Sequence, residues 1–175
     1  MTMPTAPRSI HHAATTADPD SIPVLHFKQH SFGSLCFDTY GCKVVYAGLV
    51  EADDPPDKKW KSFSEWAGSE GESALKKAGG GGYIGIRNFP APARVSWKSK
   101  DGTFHTAEVD IGKIFKDEVI IHHLPLREFP DPDDPLSSAD DPTILLVVDD
   151  RTIKVYMLSN INMHFYLTLA YSQTF

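Results

Sequence analysis

Short runs rich in β-branched and aromatic residues recur along the chain, several alternating apolar with polar positions. That is the period of strands. Val24 to Phe27 opens the series. Leu35 to Val50 follows, broken at Thr39–Gly41, and is expected to form a hairpin whose turn lies between Cys36 and Cys42. Tyr83 to Asn88 and Val119 to Leu124 read as single strands. Arg94 to Lys98 and Thr103 to Ile111 flank Ser99-Lys100-Asp101-Gly102, and Asp-Gly between β-rich runs marks a hairpin. Val95 and Trp97 alternate with polar neighbours, so Trp97 is expected to face the core. Thr143 to Val148 and Thr152 to Leu158 form a second hairpin over Asp149-Asp150-Arg151. The chain closes on Met163 to Tyr171, where Phe165, Leu167 and Leu169 alternate with His164, Tyr166 and Thr168.

Helical signals are few. Ser64 is a candidate N-cap for a short helix through Trp66. Ser69 and Glu72 have capping-box spacing for a helix to Ala78, with Lys76 and Lys77 at its cation-favouring end and Gly79–Gly82 as its stop. Gly112 to Lys116 reads as one helical turn. These elements predict a mainly β fold, with α+β as the variant. The expected architecture is an antiparallel sheet or sandwich of about eight short strands with one or two short helices.

The 175 residues suit one domain. Residues 1–22, polar and with Pro4, Pro7 and Pro19, are expected to be a flexible N-terminal segment, and 23–175 a single β-rich domain. No apolar run approaches the ~20 residues that cross a bilayer as a helix, and no signal-peptide h-region stands at the start. Either the protein is cytoplasmic or a leader was removed from this chain. Cys36 and Cys42 are either a local disulfide in an oxidising compartment or two free thiols.

Charge narrows the partners. The net charge of −6 argues against nucleic acid, which calls for a basic footprint. The acidic residues cluster. Glu128, Asp131, Asp133, Asp134, Asp140 and Asp141 stand with no basic residue between Arg127 and Arg151, in a Pro-rich stretch read as a loop. Glu51, Asp53, Asp54 and Asp57 form a second patch, also read as a loop before Lys58. Such loops are either solvated surface or contacts for a basic protein partner, whose association they would steer. Phe129, Trp60 and Trp66 are candidate aromatic anchors beside them.

Motifs for chemistry fail on geometry. The glycine run follows a helix and leads into a strand, the reverse of a phosphate loop, and no Gly-Lys-Ser/Thr follows it. His122 and His123 are adjacent, so on a strand they point to opposite faces. His11-His12 lies in the N-terminal segment. No Gly-x-Ser-x-Gly elbow is present, and Asp133-Asp134-Pro135 lacks the calcium-loop alternation. No catalytic residue, metal or cofactor is assigned.

The glycine run, the segment ARVSWKSKDGTFHTAEVDI and the β-rich end together resemble the small bacterial immunity proteins that neutralise type VI secretion phospholipase effectors. The resemblance covers roughly Gly79 to Phe115. It implies a stoichiometric inhibitor, no enzyme, that covers an effector's active-site cleft or locks its lid. It implies a periplasmic location, with a cytoplasmic one as the alternative. Two other readings stand beside it: a small hydrolase pairing a histidine with Cys36 or a serine, and a carbohydrate- or protein-binding β-module using Trp60, Trp66 and Trp97.

Overall fold

The computed structural model describes residues 17–79 and 82–175. Residues 1–16, with His11-His12, and Gly80 and Gly81 lie outside the described residues. Pro19 and Ser21, within the segment 1–22, are hydrogen-bonded to the chain at 126–127. Arg127 N–H donates to the Pro19 carbonyl and Leu126 N–H to that of Ser21.

Nine strands form two sheets. In chain order they are β1 Gln29–Phe37, β2 Tyr40–Tyr46, β3 Leu49–Asp53, β4 Tyr83–Arg87, β5 Ala93–Lys98, β6 Phe104–Val109, β7 Thr143–Asp149, β8 Thr152–Ile161 and β9 His164–Thr174. One sheet has the order β4-β1-β7-β8-β9, the other β3-β2-β5-β6. All pairs are antiparallel except β1 with β7, which run parallel. Three short α-helices accompany them: α1 Phe63–Ala67, α2 Ser73–Ala78 and α3 Ile111–Ile114. The mainly β fold expected from the sequence is the fold observed.

The two sheets face each other across one core. Phe32 and Cys36 of β1, Val44 and Tyr46 of β2, Val95 and Trp97 of β5 and Ile144, Leu146 and Val148 of β7 meet there. The opposite face of the five-stranded sheet is covered in part by α1 and α2. Phe37, Leu145, Val147 and Tyr156 pack there with Leu75, Phe63 and Trp66. Ile144 to Val148 are therefore all buried, which explains an apolar run without alternation. β5 alternates instead, since the outer face of its sheet is open.

Several local readings change. Leu35 to Val50 is not a hairpin. β1 pairs with β7 and β4, whereas β2 pairs with β3 and β5, so the chain crosses between sheets at Asp38-Thr39. Glu51 to Asp53 belong to β3 and not to a loop. The capping box lies seven residues earlier than expected. Ser62, rather than Ser64, caps α1 by accepting from Glu65 N–H, and the Glu65 carboxylate accepts from Ser62 N–H. Ser69 sits in a 3₁₀ turn, and α2 starts only at Ser73, after Gly71 has taken a left-handed φ of 56°. Val119 to Leu124 makes one isolated bridge, Val119 with His26, and no strand. The helical turn expected at Gly112 starts at Ile111, capped by the Asp110 carboxylate. Gly82 closes the glycine run against β1: a Cβ there would collide with the Phe32 carbonyl, and its φ is 133°.

Cys36 and Cys42 are bonded to each other. The bridge joins strands of different sheets, pinning the crossover between them. A loop this short gives about 2 kcal/mol by chain entropy. The double variant Cys36→Ser, Cys42→Ser is expected to melt roughly 4–8 °C lower. An unchanged melting temperature would show that the crossover is held by packing alone.

Candidate functional site

The acidic segment after Leu126 is fixed at both ends and along its length. Leu126 and Phe129 are buried, and Phe129 is only 4% exposed, edge-on to the His122 ring. Phe129 therefore anchors the loop from within and offers no surface to a partner, contrary to its expected role. Asp131 makes a turn by accepting from Asp133 N–H at 3.1 Å. Pro135–Ser138 forms a 3₁₀ helix within a segment read as irregular.

From there the loop runs against the end of β8. Asn162 N–H donates to the Ser138 carbonyl at 2.8 Å, and Asp140 N–H to that of Asn160 at 3.0 Å. The Asp140 carboxylate accepts from the Asn160 amide at 2.6 Å, and that of Asp141 from Gln29 at 2.7 Å. The Asn162 amide reaches the Glu128 carbonyl at 3.3 Å, and the Glu128 carboxylate lies 3.7 Å from His164. Asp131, Asp133 and Asp134 are exposed, and among the described residues none of them holds an ion pair. Their charges are thus presented on an ordered loop, with little ordering entropy left to lose on binding.

Apolar side chains adjoin it. Leu136 of the 3₁₀ helix is 46% exposed. Met163, between the loop-bound Asn162 and His164, is 78% exposed. Asn162 and Met163 both have left-handed φ, 47° and 66°, at the tight β8–β9 turn. Sequence reasoning missed Leu136, Asn160, Asn162 and Met163. The Asn-Met pair between two apolar runs was the available signal, but its link to the loop is a long-range contact.

The second acidic patch is built differently. Glu51 and Asp54 are half-buried, and burial pushes both carboxyls above their usual range. Asp53 and Asp57 remain exposed. The patch ends β3, an edge of the other sheet, so the structure does not merge it with the 128–141 loop. The Asp54 carboxylate also lies within 4.8 Å of both cysteine sulfurs, but those sulfurs are spent in the disulfide.

The hydrolase reading required a histidine meeting a nucleophile, and Ser99 does meet His105, at 3.0 Å. The wiring is wrong for attack. Ser99 is fully buried, and its hydroxyl donates to Asp101 at 2.5 Å. That bond, with those from Thr103, holds the Asp101 carboxyl well below its usual range. The serine proton is thus directed at the carboxylate, and His105 Nε2 is left to donate to Ser99 Oγ. A triad needs the carboxylate on the histidine and the serine proton on the base. The group instead ties down the Asp101-Gly102 turn. Cys36 is bonded to Cys42 and is no nucleophile.

The aromatic row of the third reading is not formed either. Trp97 is fully buried and donates its indole N–H to the Asp150 carbonyl, Trp66 packs against Phe37, and Trp60 alone is exposed.

No protein-family model matches the chain, and no curated protein or solved structure does either.

Two buried histidines make stability depend on pH. His30 Nδ1 meets Asn88 Oδ1 at 2.7 Å and Nε2 meets the Tyr46 hydroxyl at 2.9 Å. His122 Nε2 donates to the Pro23 carbonyl, and its Nδ1 accepts from Leu124 N–H. Burial pulls both below the usual value of 6.5. Below that pH the unfolded chain takes up protons that the folded chain refuses. The stability from these two groups is therefore present above 6.5 and lost as pH falls towards their lowered folded values. Glu51, Asp54 and Asp149, raised by burial, act in the opposite sense. Comparison with His122→Gln isolates the share of that histidine. The loss of urea stability from slightly alkaline to mildly acidic pH should be smaller in the variant, and an equal loss would contradict the assignment.

Proposed function

We propose that this chain is an immunity protein: it binds a secreted toxic effector, a type VI secretion phospholipase, and inhibits it by covering the active site. The observation that carries this reading is the 128–141 loop. It holds Asp131, Asp133 and Asp134 exposed and without an ion pair among the described residues, with the exposed Leu136 further along the same loop and the exposed Met163 next to Asn162, which is hydrogen-bonded to that loop. Ordered charge next to exposed apolar anchors suits a tight protein contact, since charge steers the encounter and desolvated apolar side chains hold the complex. The resemblance over Gly79 to Phe115 supplies the class of partner. The Cys36–Cys42 bond supports an oxidising compartment such as the periplasm.

The test is a titration of effector phospholipase activity with the purified chain, using the enzyme encoded by the neighbouring gene. Activity is expected to fall linearly to zero at one equivalent, with a one-to-one complex on size exclusion. Undiminished activity at excess chain would end this reading.

A further inference from the structure

β9 differs from every other strand at a sheet edge. The two sheets have four edges: β4, β9, β3 and β6. β4 carries Arg87, β3 carries Glu51 and Asp53, and β6 carries Glu108. Charges on an edge discourage pairing with another chain. β9, HFYLTLAYSQT, is the longest strand at 11 residues and carries no Asp, Glu, Lys, Arg or Pro. Among the described residues it pairs with β8 alone, so its outer row of N–H and C=O groups has no strand partner.

Part of its helix-side face is also uncovered. Leu167 packs on the helix-side cluster with Phe37 and Leu75, but its neighbours on that face stay half-exposed. Phe165 is 51% exposed and Leu169 50%. The three form one alternating apolar row. The register slips just beyond it, where Tyr171 pairs with Val155 and Leu169 with Tyr156, leaving Ala170 as a bulge. The regular pairing edge is thus His164 to Leu169.

We infer that β9 is the pairing edge for a second copy of this chain, joined antiparallel about a two-fold axis at Leu167. The row is self-complementary in that arrangement. Leu167 meets its own mate, and Phe165 of each copy meets Leu169 of the other, apolar against apolar on one face. Tyr166 and Thr168 exchange in the same way on the other face.

Charge selects the antiparallel direction. The chain carries −6, and its acidic loop sits beside Asn160–His164 at one end of β9. Parallel pairing would bring the two loops together. Antiparallel pairing about Leu167 puts the two Asn162 residues roughly 33 Å apart at ~3.3 Å per residue. That is several Debye lengths at physiological salt, so the loops no longer repel. A one-strand edge buries less than the ~1,600 Å² of a standard interface, so the dimer is weak and concentration-dependent. The loops stay free at its two ends, which leaves the proposed effector contact open.

Sedimentation equilibrium of the full chain, over a series reaching millimolar concentration, tests this. The weight-average mass should rise from 19.4 kDa towards twice that value. Leu169→Lys places a charge on the edge at a half-exposed position and should shift the dissociation constant at least about tenfold, with an unchanged circular dichroism spectrum. Leu167→Cys supplies a free thiol in a chain whose own cysteines are bonded to each other. A short bifunctional thiol reagent should then trap a covalent dimer. A constant mass of 19.4 kDa throughout would overturn the inference. So would a dimer that Leu169→Lys leaves intact, or one that Leu167→Cys fails to cross-link.

Discussion

Neutralising Asp131, Asp133 and Asp134 together as asparagines is expected to slow association with the proposed effector about ten- to a hundredfold at low salt. The reason is positional. Asp140 and Asp141 spend their carboxylates on Asn160 and Gln29, so their charge is partly answered within the fold. Asp131, Asp133 and Asp134 hold no ion pair among the described residues, so more of their field extends to an approaching partner. Asparagine keeps the acceptor that Asp131 offers to Asp133 N–H, so the loop conformation should survive. The effect should vanish in high salt, where the screening length drops to about 3 Å. Dissociation, which the proposal assigns to apolar contacts of Leu136 and Met163, should change little. Stopped-flow association at two salt concentrations reads both quantities. Equal rates for variant and parent at low salt would remove the loop from the encounter.

Trp97→Ala should destabilise the fold by about 3–5 kcal/mol, the usual range for a buried large aromatic. The side chain is fully buried between the sheets, stacks on His105 with centroids 5.0 Å apart and meets Phe175 edge-on. Its indole N–H is also the donor for the Asp150 carbonyl at the β7–β8 turn. Removing it opens a cavity and orphans that carbonyl, while joining nothing in exchange. The melting temperature should fall by roughly 6–20 °C. Trp97→Phe keeps most of the apolar contact and loses the donor with a smaller part of the volume, so it should cost less, about 1–3 kcal/mol. Equal costs for the two variants would mean that the cavity matters less than the hydrogen bond.

The local parts of the fold were readable from residue pattern. β5 with β6, and β7 with β8, are hairpins whose turns carry their own chemistry, Asp101-Gly102 and Asp149-Asp150-Arg151. The pairing of β1 was not readable. Its partner β7 lies more than a hundred residues away and runs parallel to it, and nothing near Cys36 announces that the chain changes sheets there. Helix starts failed for a related reason. Ser62-x-x-Glu65 and Ser69-x-x-Glu72 offer the same box, and only the left-handed glycines around the second decide against it.

The site was legible as composition and not as geometry. Counting carboxylates singled out the loop. Its order comes from Asn160 and Asn162, which fall between two apolar runs with no sequence mark linking them to the loop, and from Phe129 turning inward. Edge position is likewise tertiary, and the alternation from Met163 to Tyr171 marks a strand without saying where in a sheet it lies. The missing charges in HFYLTLAYSQT were nevertheless visible and agree with where it lies.

Hydrogen exchange of the chain, free and saturated with effector, tests the central claim most directly. Binding through the acidic loop predicts added protection at 130–141 and at Asn162–Met163, with the outer face of the four-stranded sheet unchanged. Protection confined to that outer face, with the loop exchanging as before, would contradict it.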